Sequence, residues 1–261
     1  MRELDEKRGN DRGHGRTIAV WILALACAMA SIVVGALAGG KSYVIVSVIV
    51  VLCAIVPFFV GFERRRPQAR ELVMLAVMCA LAVAARAAFI WLPGFKPMAA
   101  IVMIAGIAFG PSSGFLVGSL SALTSNFIFG QGPWTPWQML AFGLCGLAFG
   151  ALARRGVVKR EDLGVTGSLV LAILGAVFVV IVAGPVLDTS SLFFMVSRIT
   201  PEVIVAVYLA GFPMNCAQAA ATFVTLLLAA APLLDKLSRV RRKYGTVSYT
   251  HLRAHETLSD L

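Results

Sequence analysis

Four groups of residues in this 261-residue chain have types and spacings that suggest chemistry. Gly35–Ser42, GALAGGKS, fits the phosphate-cradling pattern G-x-x-x-x-G-K-[ST] letter for letter. That pattern works only where the loop joins a buried strand to a helix, so that backbone N–H groups and the lysine converge on phosphates. Gly130–Met139, GQGPWTPWQM, sets Trp134 and Trp137 among prolines and glycines beside Gln131, Thr135 and Gln138. Rigid backbone, two indoles and uncharged hydrogen-bonding groups describe either an interfacial aromatic belt or a small-molecule pocket. Arg86 is a lone cation in an apolar run; it either snorkels outward or meets a buried partner or an anionic ligand group. Ala76, Ala80, Ala84 and Ala88 repeat every four residues, a stripe on one helix face that lets a second helix come close, from this chain or another.

The rest of the composition excludes much. His14, His251 and His255 all lie in the tails, and no Asp or Glu falls inside an apolar run as the sequence divides them. Metal or triad hydrolysis and proton relays need such groups at depth, so the chain is not read as an enzyme or a proton-coupled porter. No metal or organic cofactor is implied. Cys27, Cys53, Cys79, Cys145 and Cys216 are dispersed within apolar runs, without CxxC spacing, and read as small apolar filler.

The elements that must position these residues are membrane helices. The chain is 59% hydrophobic and 14% charged, with a mean hydropathy of +0.87. Its apolar residues come in runs of about 20, the length a helix needs to cross the hydrocarbon core. After a polar tail, 1–16, read as disordered, the spans are Thr17–Leu37, Tyr43–Phe62, Leu72–Trp91, Met98–Gly110, Phe115–Phe129, Trp137–Ala153, Gly167–Leu187 and a last one ending near Leu234. Met98–Phe129 is either two short spans or one re-entrant pair, and Asp188–Glu202 is a loop. The first span is a retained anchor rather than a signal peptide, its apolar run being longer than a signal's.

GALAGGKS therefore falls in the turn of a membrane hairpin, with no strand before it, and is a chance match. Nineteen of the 23 Lys and Arg lie in the N-tail, two connectors (Arg64–Arg70 and Arg154–Arg160) and the C-tail; the alternate loops hold only Lys41, Lys96 and Arg198. This positive-inside asymmetry implies about eight spans with both termini cytoplasmic. The net charge of +10 thus records orientation in a lipid bilayer rather than affinity for nucleic acid. The fold class is an all-α integral membrane protein of the plasma membrane. Its segments are the tail, an extra hairpin 17–62, a six-helix core 70–235, a basic end 236–247, and 248–261. The last, SYTHLRAHETLSDL, looks like a translated sequencing adapter and is left out of the fold reasoning.

From Arg70 to about Leu234 the chain resembles the substrate-binding S component of an energy-coupling factor transporter. The segments that carry the likeness are RELVMLAVMCALAVAARAAF, LPGFKP, IAGIAFGPSSGFLVGSLSALTSNFIFGQGPWTPWQM and PEVIVAVYLAGFP. The resemblance implies a vitamin captured by the external loops, with docking on a membrane T subunit that carries two ATP-binding subunits. It also implies that the Ala76/Ala80/Ala84/Ala88 stripe, at the family's A-x-x-x-A motif, meets the T subunit. The candidate substrate-binding set is then Arg86, Phe95, Asn126, Gln131, Trp134, Thr135, Trp137, Gln138 and Asn215. FGQGPWTPWQM is similar to a subfamily proposed to take up cobalamin. Asn215 and Gln218 stand where such relatives often carry Asp and His. Two other readings remain: a structural or assembly membrane protein, and a stand-alone facilitator without an energy subunit.

Overall fold

The computed structural model describes residues 42–63, 69–158, 163–195 and 200–243, with isolated positions between 23 and 30. The N-terminal tail, most of the first span, the GALAGG turn, Arg64–Arg66, Lys159 and Arg160, and the segment from 248 onward lie outside the described residues. The expectations placed on them stay as expectations.

Every described element is a helix. They are α1 (Ser42–Glu63), α2 (Ala69–Ala88), α3 (Met98–Phe109), α4 (Pro111–Phe129), α5 (Thr135–Arg154), α6 (Val165–Phe178), α7 (Gly184–Met195) and α8 (Pro201–Lys243). A π-helical turn, Val179–Ala183, joins α6 to α7, so 165–195 is one continuous rod. Five of these rods are long and apolar enough to cross a membrane. Their apolarity runs all round rather than along one stripe, as hydrocarbon on one side and protein on the other require.

The helices α3 and α4 form a hairpin about Gly110, which has φ of +98°. At 12 residues α3 is about 18 Å long, shorter than the hydrocarbon core. Residues Met98 to Ala108 are all buried, enclosed by α2, α4, α5 and α8. The tightest crossing is α4 on α5. A Cβ on Gly146 of α5 would strike the backbone of Gly114, and one on Gly106 would strike Gly146, so three backbones meet where no side chain fits. In lipid, where water gives no drive for helix association, such close approach is a main source of cohesion.

Two features tie the ends of the bundle. The Ser113 hydroxyl donates to Glu71 (3.3 Å), and Gly150 faces Pro111, so the start of α2, the α3–α4 turn and the end of α5 share one end. Arg70, Arg154 and Arg155 belong to that end, the basic one. At the opposite end the 92–97 turn, with Gly94 at φ of +75°, rests on Met214 and Ala217 of α8. Helix α1 lies against α4, α5 and α7, with the Phe58 and Phe115 rings stacked at 4.0 Å.

One expectation fails. The sequence places Asp188–Glu202 in a loop, but α7 continues through Asp188 to Met195, and Glu202 sits in the first turn of α8. Accordingly a carboxylate does lie inside an apolar rod. The polar run DTSS reads as a loop, yet its hydroxyls turn back on their own helix: Thr189 donates to the Pro185 carbonyl (2.7 Å) and Ser190 to that of Leu187 (2.6 Å). The last helix also outruns its expected end near Leu234, remaining helical to Lys243.

Candidate functional site

At the end opposite the basic one, polar side chains from three elements converge. Arg86 closes α2, Ser125 and Asn126 lie in the last turns of α4, and Gln131, Thr135 and Gln138 bracket the start of α5. Gly130, at φ of +101°, ends α4, and Pro136 sits in the first turn of α5. The Gly130–Trp134 link is thereby short, and it places Thr135 and Gln138 against Asn126.

Asn126 is the centre of this network and is 1% exposed. Its Oδ1 accepts from Arg86 Nη1 (3.1 Å), while its Nδ2 donates to Thr135 Oγ1 (3.0 Å) and Gln138 Oε1 (2.9 Å). An acceptor facing the guanidinium and a donor facing two oxygens fix the amide's orientation. Thr135 passes its hydroxyl proton to Gln131 Oε1 (2.9 Å) and also accepts from the Gly132 N–H (3.3 Å). Gln131 Nε2 donates to the Leu123 carbonyl (3.1 Å). The same Arg86 nitrogen donates to Ser125 Oγ (2.5 Å), and the guanidinium lies over the Phe129 ring, 4.5 Å from its centroid. Arg86 does not snorkel; it is 7% exposed.

Of the nine candidate residues, five share this network: Arg86, Asn126, Gln131, Thr135 and Gln138. The aromatic candidates stand apart from it. Trp134 precedes the first turn of α5, 41% exposed, with its ring folded over Gly132 so closely that a Cβ there would overlap it. Trp137 is buried and stacks on Phe193 of α7 (5.8 Å), in an apolar cluster with Val51, Ile55 and Phe115. Phe95 packs on Phe89 (5.1 Å), drawing the 92–97 turn back over the end of α2.

Asn215 belongs to a second polar pair, which the sequence does not reveal. Its Nδ2 donates to Asp188 Oδ2 at 2.7 Å, and both residues are buried. Gly184 and Gly211 make room for the pair: a Cβ on the first would meet the Asn215 amide and one on the second the Asp188 carboxylate. Thr189 and Tyr208 share a hydrogen bond nearby on the same two helices (2.7 Å). Gln218, one turn along from Asn215, is buried with its Nε2 unpartnered. Met214 and Ala217, on the adjoining face of α8, carry the 92–97 turn.

The alanine stripe has a different setting. Ala76, Ala80, Ala84 and Ala88 are all exposed, while Leu75, Met78, Ala82 and Arg86 make up the buried face of α2. The stripe therefore faces away from the chain's own core.

Nothing in the arrangement offers a nucleophile with an adjoining base, and among the described residues no three His, Cys, Asp or Glu side chains gather to hold a metal. The site can bind by hydrogen bonds, charge and apolar surface. Residues 67–239 match the family described as the S component of the ECF-type riboflavin transporter. No solved structure matches the chain.

Proposed function

Because this chain belongs to the ECF-type riboflavin transporter S-component family, we propose that it is the substrate-capture subunit of an ATP-driven vitamin importer. Such a protein is a multi-pass membrane protein and a transporter component, not an enzyme. In this reading the vitamin is taken from outside at the end formed by the 92–97 turn, the 130–136 loop and the junction of α7 with α8. Capture precedes docking on a T subunit with two ATP-binding subunits, which supply the energy for uptake.

The observation that carries the reading is the Asn126 network. It gathers one cation and several neutral hydrogen-bonding groups at one end of a membrane bundle, around ends of helices rather than along a continuous path. A channel or facilitator needs a polar route across the bilayer. Here the apolar mass of α3 closes the bundle beneath the site. The positive-inside asymmetry supports assigning the site's end to the outside and both termini to the cytoplasm, with about eight spans. The outward-facing alanine stripe supports α2 as the docking face, since a line of small side chains lets a second helix approach closely.

The matched family's description names riboflavin, and the FGQGPWTPWQM segment resembles a cobalamin-type subfamily. Both vitamins are the substrates to titrate against the purified protein. Saturable binding of either, together with co-purification of two ATP-binding subunits through a T subunit, is the expected result. Binding without any such assembly would favour the stand-alone facilitator, and assembly without binding the structural protein.

A further inference from the structure

We propose that Arg86 and Lys96 form a cationic pole that binds a phosphate group, carried either by the captured substrate or by an anionic lipid headgroup. The substrate version rests on the capture reading above and adds a chemical class to it.

The argument begins with what surrounds the two cations. Arg86 is more than nine-tenths buried, yet its hydrogen-bond partners, Ser125 and Asn126, are neutral and both take the same nitrogen. Its Nε is buried without a partner. The partners that Arg86 has among the described residues include no carboxylate. Glu71 is engaged with Ser113 at the far end, and Asp188 with Asn215. A buried guanidinium without a counter-charge is strongly disfavoured. The Phe129 ring offsets part of that cost.

A second cation lies in the turn that folds back over the end of α2. Phe95 on Phe89 and the Leu92 N–H on the Phe89 carbonyl (3.1 Å) fold the 92–97 turn against the last residues of α2. Lys96 is thereby half-buried. Burial, and then the charge of Arg86, push its ammonium below the ordinary lysine range. Two like charges in a desolvated place each raise the cost of the other. An anionic oxygen group near both relieves both, through charge-assisted bonds to the ammonium and to the guanidinium, whose Nε has no partner. Neutral riboflavin has no such group. Its 5′-phosphate does, and so does cobalamin, through its phosphodiester.

The test uses the full chain, purified in a neutral detergent, with thermal unfolding followed by tryptophan fluorescence. The probes are sodium phosphate against sodium chloride at equal ionic strength, riboflavin 5′-phosphate against riboflavin, and phosphatidylglycerol against phosphatidylcholine. Inorganic phosphate is expected to raise Tm by a few degrees over chloride. That gain should vanish in Lys96→Met and in Arg86→Gln; the first lies in a turn and keeps the test valid if the second does not fold. Stabilisation by riboflavin 5′-phosphate beyond that by riboflavin, lost in Lys96→Met, assigns the pole to substrate. The same pattern with phosphatidylglycerol alone assigns it to a headgroup. Equal effects of phosphate and chloride on the wild type overturn the proposal, as does a phosphate effect that survives in Lys96→Met. Riboflavin binding without any phosphate effect would leave the capture reading standing and remove this one.

Discussion

Two side chains at the site end give contrasting predictions at the scale of single residues. Trp134 presents a half-exposed indole at the rim of the Asn126 network, held by Pro133 and the first turn of α5. A preordered ring offers apolar area at little entropic cost. If it covers the bound vitamin, Trp134→Ala weakens binding by about 2 kcal/mol, roughly thirtyfold. Titration of riboflavin and cobalamin against both proteins checks this, and unchanged affinity in a folded variant removes Trp134 from the site. Lys96 makes the opposite kind of prediction, about stability without ligand. Its folded pKa is depressed, so at neutral pH the fold holds a charged group that water would hold more cheaply. Lys96→Met is expected to raise Tm in the ligand-free protein. With a folded pKa below the unfolded one, the unfolded chain binds more protons between the two values, and wild-type stability rises with pH there. The advantage of the variant should therefore shrink as pH climbs through that window. A variant that is less stable at pH 7 would show that the ammonium has a compensating partner.

Among the elements, α2 divides its labour between two faces. The buried face holds Leu75, Met78, Ala82 and Arg86, and the other carries four exposed alanines flanked by exposed Leu72, Val73, Val77 and Leu81. Since no core contact depends on the stripe, Ala80→Leu should spare folding and ligand affinity. Its added bulk would hold a closely packed partner helix away. The expected signature is intact binding with loss of T-subunit co-purification and of uptake. If assembly survives as well, the stripe faces lipid. The stripe was legible in the sequence, because four small residues at one spacing define a face, but its outward orientation was not. The α7 polar pair was not legible. Hydroxyls of Thr189 and Ser190 bonded to their own helix look, in sequence, like the polar run of a loop. The triple approach of Gly106, Gly114 and Gly146 was hidden for another reason: spacing shows that a helix has a small face, but not which helix meets it.

For the molecule as a whole, the sequence disclosed a bundle of membrane rods and the end at which the polar residues collect. Arg86 stood out as a lone cation in an apolar run and Gln131, Thr135 and Gln138 as hydrogen-bonding groups beside one, while Asn126 entered only with the family resemblance. Which of them touch depended on the short Gly130–Trp134 link. The position of the extra N-terminal helix also had to come from the structure. Helix α1 covers Phe115 and the Trp137 cluster, with Phe58 stacked on the former. The hydrogen bonds that orient Asn126 come from α2 and α5. Removing residues 1–66 should therefore lower Tm by exposing that cluster, and leave vitamin affinity unchanged. Thermal unfolding and titration of the truncated protein test both parts, and a loss of affinity without loss of stability would place α1 in the binding path.

The π turn at Val179–Ala183 sets the phase of the rod beyond it. A π turn holds one residue more than an α turn, so everything after it is rotated by about 100° relative to an uninterrupted helix. Asp188 meets Asn215 only because of that added increment. Deleting Ile181 should let the rod relax into plain α-helix, apolar and stable, while swinging the carboxylate about a quarter-turn off its amide. The rod would thus behave as a dial with one notch removed. Helical content by circular dichroism should be retained, while an Asn215→Ala change that costs stability in the wild type should cost nothing in the deletion variant.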